Sequence, residues 1–337
     1  MKTIDTAALS ARYRTASIDL AKRRLLVTNF QHTEQEADFS EPANCSGFGR
    51  IRHFRRTTSP GWPNNPLPLD PACKALGLPR TEMIRAQAFQ NAVCNWRCWY
   101  CFVPFDLLSA NPKHSAWLSP GELVDLYLAQ TEPPPVLDLT GGQPDLTPEW
   151  VPWVMTEMIE RGLEQKFYLW SDDNLSSDYY WRYLSESQQE LVATYRNYGR
   201  VCCFKGFDAD SFSFNTQADI SLFDEQFSLM ARLLATGLDI YAYATFTTTV
   251  TTQPTSEMKR FVDRLQTLDV NLPLRTVPLE VTLFSPVAKR LDSAKRDAIK
   301  NQWLAIEVWL RELEERFSSE ERQRDITKVP LRQRVVL

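Results

Sequence analysis

Asn91-Ala92-Val93-Cys94-Asn95-Trp96-Arg97-Cys98-Trp99-Tyr100-Cys101 spaces three cysteines as C-x3-C-x2-C, with an aromatic residue directly before the last. Thiolates are the natural ligands of iron–sulfur clusters, which usually take four of them. Three on one short loop can hold three corners of a cubane [4Fe-4S] cluster and leave one iron open to a small molecule, to which it can pass an electron. Zinc uses the same thiolates, but structural zinc closes four ligands in paired C-x2-C or Cys/His spacings. The histidines are His32, His53 and His114, none within ten residues of the loop. Cysteines packed as small buried hydrophobes are a third reading.

The rest of the composition narrows the class. A hydrophobic fraction of 43% in 337 residues supports a sizeable core in one large domain or two smaller ones. Net charge of −4 gives no global attraction to nucleic acid or an anionic membrane. No apolar run approaches the roughly 20 residues that span a bilayer. The start, Met1-Lys2-Thr3-Ile4-Asp5-Thr6, lacks the apolar stretch of a secretory signal. Seven cysteines, three of them crowded together, do not suggest a disulfide framework. A reduced cytoplasmic protein is the expectation.

Along the chain, residues 1–82 form an N-terminal extension, partly irregular. A charged helix is expected over Thr6 to Arg24, and the density of Pro, Gly and Asn from Ser59 to Pro68 reads as ordered loop. Beyond it, β-type runs alternate with amphipathic helices. Strands are expected at Ile84–Gln90, Val136–Thr140, Lys166–Trp170, Val201–Lys205, Ile240–Thr247 and Leu274–Phe284. Ser119-Pro120-Gly121-Glu122 supplies an N-cap serine, a proline at the first helical position and a capping-box glutamate. Thr147-Pro148-Glu149 repeats that logic, and Asp292 to Arg322 reads as one long charged helix. Repeated βα units argue for an α/β fold with a parallel sheet, because parallel neighbours need helical crossovers. The cysteine loop follows the first strand, at the carboxyl end where such folds collect ligands. The core is taken as 83–290, and 291–337 as a C-terminal helix and tail.

After the second strand comes Gly141-Gly142-Gln143-Pro144, where two glycines permit unusual φ/ψ and close backbone approach. Together with the cysteine loop this resembles the radical S-adenosylmethionine (radical SAM) superfamily, and the activating-enzyme branch in particular. The resemblance covers about residues 83–290 and implies a partial (β/α)6 TIM-like barrel. It implies that Cys94, Cys98 and Cys101 hold the cluster, and that S-adenosylmethionine chelates the open iron. Gly141, Gly142, Gln143 and Pro144 match the turn that contacts the cofactor's amino group, with Gln143 where an acidic residue is commoner. Tyr100 is then placed for the adenine, and Ser171, Asp172 and Asn174 for the ribose and carboxylate. Lys205, in Cys203-Phe204-Lys205, is placed for the cofactor carboxylate or an anionic substrate. Ser171 to Asn174 read equally well as a helix-capping turn, and Cys202 and Cys203 as buried filler. Arg275 is expected near the pocket floor or rim.

The implied activity is reductive cleavage of S-adenosylmethionine, with hydrogen abstraction from a small-molecule, nucleotide or peptide substrate. An electron donor such as flavodoxin or ferredoxin is the implied partner. An activase that installs a radical on a partner protein, an iron–sulfur electron-transfer or sensor protein, and a zinc-stabilised binding module are the other readings. Cys45 and Cys73, with His53 between them, are weak candidates for a second metal. Arg50-Ile51-Arg52-His53-Phe54-Arg55-Arg56 is a basic run that suits phosphate or carboxylate, or a solvated strand face.

Overall fold

The computed structural model describes residues 3–331; Met1, Lys2 and the last six residues of the expected tail lie outside them. Seven strands form one sheet: β1 (Gly49–Arg55), β2 (Met83–Gln90), β3 (Val136–Thr140), β4 (Tyr168–Asp173), β5 (Tyr198–Phe204), β6 (Ile240–Thr245) and β7 (Thr276–Leu279). They lie in sequential order across the sheet. From β2 to β7 every neighbour is parallel. The sheet curls into a half-barrel, a partial (β/α)6 TIM-like architecture. β1, from the N-terminal segment, adds an antiparallel edge, with Gly49 opposite Phe89 and Arg55 opposite Met83.

Strand alternation builds two cores, one on each face. Ala86, Trp170, Val201, Cys203, Tyr241 and Tyr243 pack on the inner face. Cys202 and Phe204 face outward instead, and Phe204 stacks on Phe227 and Phe261 of the surrounding helices. The Pro-rich stretch and the helix Leu69–Leu76 cover part of the inner face, burying Leu67, Leu69 and Ala72 there. The N-terminal helix, Thr6–Ser17, is tied on by a buried ion pair between Arg14 and Glu149 at 2.5 Å. Among the described residues no helix is long and apolar enough to cross a membrane.

Several boundaries depart from expectation, and four of them have a clear local reason. The first helix ends at Ser17, because Asp19 accepts from the Lys22 amide and caps a turn, and Ile18–Asp19 pairs with Arg24–Thr28. β4 runs on through Ser171, Asp172 and Asp173, since its neighbour pairs with it as far as Asp173 opposite Cys202. β7 stops at Leu279, and Arg275 lies at its opposite end, bonded to Asp239 and to the Ile240 and Val329 carbonyls. Arg275 is therefore at the amino-terminal end of the barrel, not at the pocket. The long helix breaks after Arg316, where Ser318 starts a new capping box with Glu321. The Ser119 capping box forms as expected, whereas the next helix starts only at Trp150, with no side-chain cap, because the Thr147 hydroxyl donates back to the Pro144 carbonyl.

Leu69→Ala tests whether the N-terminal segment is part of the core. Truncation at this fully buried site should lower stability by about 2–5 kcal/mol in chemical denaturation. A loss within about 0.5 kcal/mol would mean that the segment lies on the surface.

Candidate active site

The cysteine loop leaves β2 and is fixed through its backbone. The Cys94 amide donates to the Leu108 carbonyl at 3.1 Å, Arg97 to Thr216 at 3.2 Å, and Trp99 to Asn215 at 3.2 Å. The Arg97 guanidinium donates to the Cys94 and Trp96 carbonyls at 2.6 and 2.8 Å. Arg290 does the same for Cys101 and Val103, at 2.5 and 2.8 Å. The N-terminal helix joins in: Trp96 donates to the Thr6 hydroxyl, and Asn95 to that of Ser10. Order is thus imposed largely through main-chain groups; of the sulfurs, Cys94 meets the Trp96 amide and Cys98 meets Tyr100.

The glycine turn presses directly against this loop. Gly141 and Gly142 both adopt left-handed backbone, at φ 73° and 60°. A Cβ on Gly142 would lie 2.1 Å from the Val93 carbonyl oxygen and 2.8 Å from that of Asn91. The Gln143 amide donates to the same Val93 carbonyl at 2.9 Å. The buried Gln143 side chain donates to Asp173 and accepts from the Asn174 amide, each at 2.9 Å. That explains the amide at this position: a glutamate would set a second carboxylate against Asp173, which already shares Arg200 with Asp145. Asn174 closes the arrangement, donating to the Gly142 carbonyl at 3.1 Å and to the Cys94 sulfur at 3.9 Å.

Both elements open on one cavity of about 600 Å³. Cys94, Cys98 and Cys101 line it, as do Tyr100, Gly141, Gly142, Asp172, Asn174 and Lys205. Gln143 and Pro144 sit behind the turn, and Ser171 is bonded to the Tyr198 hydroxyl at 2.6 Å. Cys203 faces the cavity and Cys202 does not. Cys45 and Cys73 lie in separate cores, while His53 pairs with Glu41. Among the described residues no group of three His, Cys, Asp or Glu closes around a single metal ion. The three thiols instead share the wall of a roomy cavity, which suits a cluster whose ligands attach to different irons. The residues fit that group.

Burial dominates the electrostatics. It pushes the Cys98 thiol up to about 12 against the pull of Lys205, and raises Cys94 as well. Burial also works against the Lys205 ammonium, yet Cys203, Tyr100, Cys98 and Cys94 outweigh it and hold the proton more firmly than usual. The Tyr100 hydroxyl shares a hydrogen bond with Thr245 at 3.1 Å. Asp172 accepts from the Thr140 hydroxyl.

Sequence reasoning missed Asn215 and Arg290. Asn215 donates to the Lys205 carbonyl at 2.8 Å and accepts from the Trp99 indole at 3.0 Å, so it spaces the lysine from the cysteine loop. Neither residue belongs to a motif.

No family model and no curated protein matches the chain. Among solved structures it is similar to Streptococcus suis SuiB bound to the precursor peptide SuiA, at 15% identity and a TM-score of 0.39. That alignment covers 54% of this chain and 36% of SuiB. SuiB bound to S-adenosylmethionine aligns at 15% identity and a TM-score of 0.37, over 52% of this chain and 36% of that one. The chain thus matches about a third of SuiB's length.

The glycine contact can be measured with a matched pair. Gly77 has φ 65° with nothing near a built Cβ, so Gly77→Ala should cost only backbone strain, about 1 kcal/mol. Gly142→Ala should cost at least about 2 kcal/mol more, because the obstruction is backbone rather than a movable side chain. Equal losses in urea unfolding would mean that the two loops are not in contact.

Proposed function

We propose that this chain is a radical S-adenosylmethionine enzyme. The observation that carries the reading is the three-cysteine loop and the glycine turn, locked backbone to backbone and open to one cavity at the carboxyl ends of parallel strands. Cys94, Cys98 and Cys101 would hold the [4Fe-4S] cluster, leaving its fourth iron for the cofactor. When bound, that pair supplies one-electron cleavage of a carbon–sulfur bond, giving methionine and a 5′-deoxyadenosyl radical that takes hydrogen from the substrate.

The chain's own residues bind and orient. Lys205 lines the cavity and suits the cofactor's carboxylate. Gly141 and Gly142 expose backbone for the amino group, and Asn174 stands beside them. Asp172 suits the ribose hydroxyls, and Tyr100 the adenine. Gln143 positions rather than touches, since its amide is spent on Asp173 and Asn174. Burial of Cys94 and Cys98 limits the water around the reacting atoms. An external reductant such as flavodoxin or ferredoxin provides the electron. A pure electron-transfer protein would have no use for a glycine turn built against the cluster loop.

Anaerobic reconstitution, reduction with dithionite and addition of S-adenosylmethionine should yield 5′-deoxyadenosine from a protein carrying about four irons per chain. Cys98→Ala should lose both the iron and the product. Tightly bound zinc, or iron without cleavage, would contradict the proposal.

A further inference from the structure

The basic run on β1 enters the same cavity, and its two arginines are treated differently. Arg50 and Arg52 stand opposite Ala88 and Ala86, small residues that leave room for long side chains on the inner face. Arg52 is neutralised: it donates to Asp138 at 2.7 Å, with its guanidinium 4.2 Å from the Phe54 ring centre. Arg50 forms no ion pair among the described residues. It is only 8% exposed, and its Nε and Nη2 are buried without a hydrogen-bond partner. The rings of Phe102 and Phe39 lie 4.8 and 5.5 Å from its guanidinium carbon.

A buried cation normally needs a paired anion, because desolvation costs several kcal/mol per ion. Cation–π contact returns on the order of 2 kcal/mol when desolvated and leaves the in-plane N–H donors idle. Those donors form the fork that matches carboxylate and phosphate oxygens. Burial and the charge of Arg52 push Arg50 down to about 9, against a through-space pull from Asp138, Asp172 and Cys101 that does not make up the difference. None of the acidic groups on the cavity wall bonds Arg50: Asp38 takes Ser285, Glu280 takes Thr58 and Asp172 takes Thr140, while Asp138 and Asp172 act on it only through space. Lys205 follows β5, four strand steps from β1, at about 4.8 Å per step along the sheet. The cavity therefore offers two cationic stations on different walls.

We propose that Arg50 is the receptor for an anionic group of the substrate, a carboxylate or a phosphate, which it grips edge-on between the two phenylalanine rings. The cofactor's carboxylate goes to Lys205, and the substrate's anion to Arg50. This inference rests on the cavity being the catalytic one, and it narrows the substrates to anionic molecules. It also gives the N-terminal segment a role in recognition, since that segment carries Arg50.

Anaerobically reconstituted full-length protein is titrated calorimetrically with inorganic phosphate and, separately, with acetate. At least one should bind, and bind about tenfold or more weakly in R50Q, the loss of a charge-assisted hydrogen-bond pair. Phosphate alone binding assigns the phosphate class; acetate alone assigns the carboxylate class. Cys98→Ala should keep the Arg50-dependent anion binding, so a failed cluster does not masquerade as a failed anion site, and saturating S-adenosylmethionine on the wild type takes Lys205 out of the titration. On wild-type protein, phenylglyoxal modification of Arg50, followed by peptide mass spectrometry, should slow in the bound anion's presence, a check that requires no variant to fold. Equal affinity in R50Q, displacement of the anion by S-adenosylmethionine, no binding of either anion, or unprotected Arg50 would each overturn the proposal.

Discussion

The carbonyl of Val93 lies where a side chain at position 142 would have to be, and accepts a hydrogen bond from the Gln143 amide. This contact between two loops, each leaving the carboxyl end of a neighbouring parallel strand, sets the geometry of everything around it. It brings the thiol-bearing loop and the glycine turn onto one cavity wall. It also obliges Gln143 to point backward, where it meets Asp173 and Asn174 and so fixes the end of β4. Asn174 then returns to the Gly142 carbonyl and the Cys94 sulfur, closing the ring of contacts.

The N-terminal segment is woven into this arrangement. Thr6, Ser10 and Tyr13 bond to the cysteine loop, β1 extends the sheet, and Leu67 to Cys73 pack on its inner face. The cysteine loop is ordered chiefly by donors aimed at its main-chain carbonyls rather than at its sulfurs. Arg97 and Arg290 supply most of them. The inner face that the segment completes is polar on the side of β1, where Arg50 waits beside the neutral Arg52–Asp138 pair.

Local signals were the legible ones. The three cysteines fall within eight residues, the glycines are adjacent, and the Ser119 capping box spans a single turn, so each could be read without tertiary context. Alternation alone pointed to a parallel sheet, and the family resemblance supplied the partial six-stranded barrel. What escaped depends on distance or register. Arg290 reaches the Cys101 carbonyl from 189 residues away. β4 extends through Asp173 because its neighbour pairs that far, which propensity at Ser171-Asp172-Asp173 opposes. Gln143 read as a cofactor ligand because its neighbours suggested one, and only the partner on β4 shows where its amide is spent. The basic run was visible as charge, but only burial separates the paired Arg52 from the unpaired Arg50.

The central claim is that the cysteine loop leaves one iron open beside a cofactor-binding turn. Electron paramagnetic resonance of the reduced, iron-reconstituted protein, recorded before and after S-adenosylmethionine is added, addresses it most directly. A [4Fe-4S] signal whose shape and g-values change on addition is the result this account predicts. A signal indifferent to the cofactor at saturating concentration would contradict it.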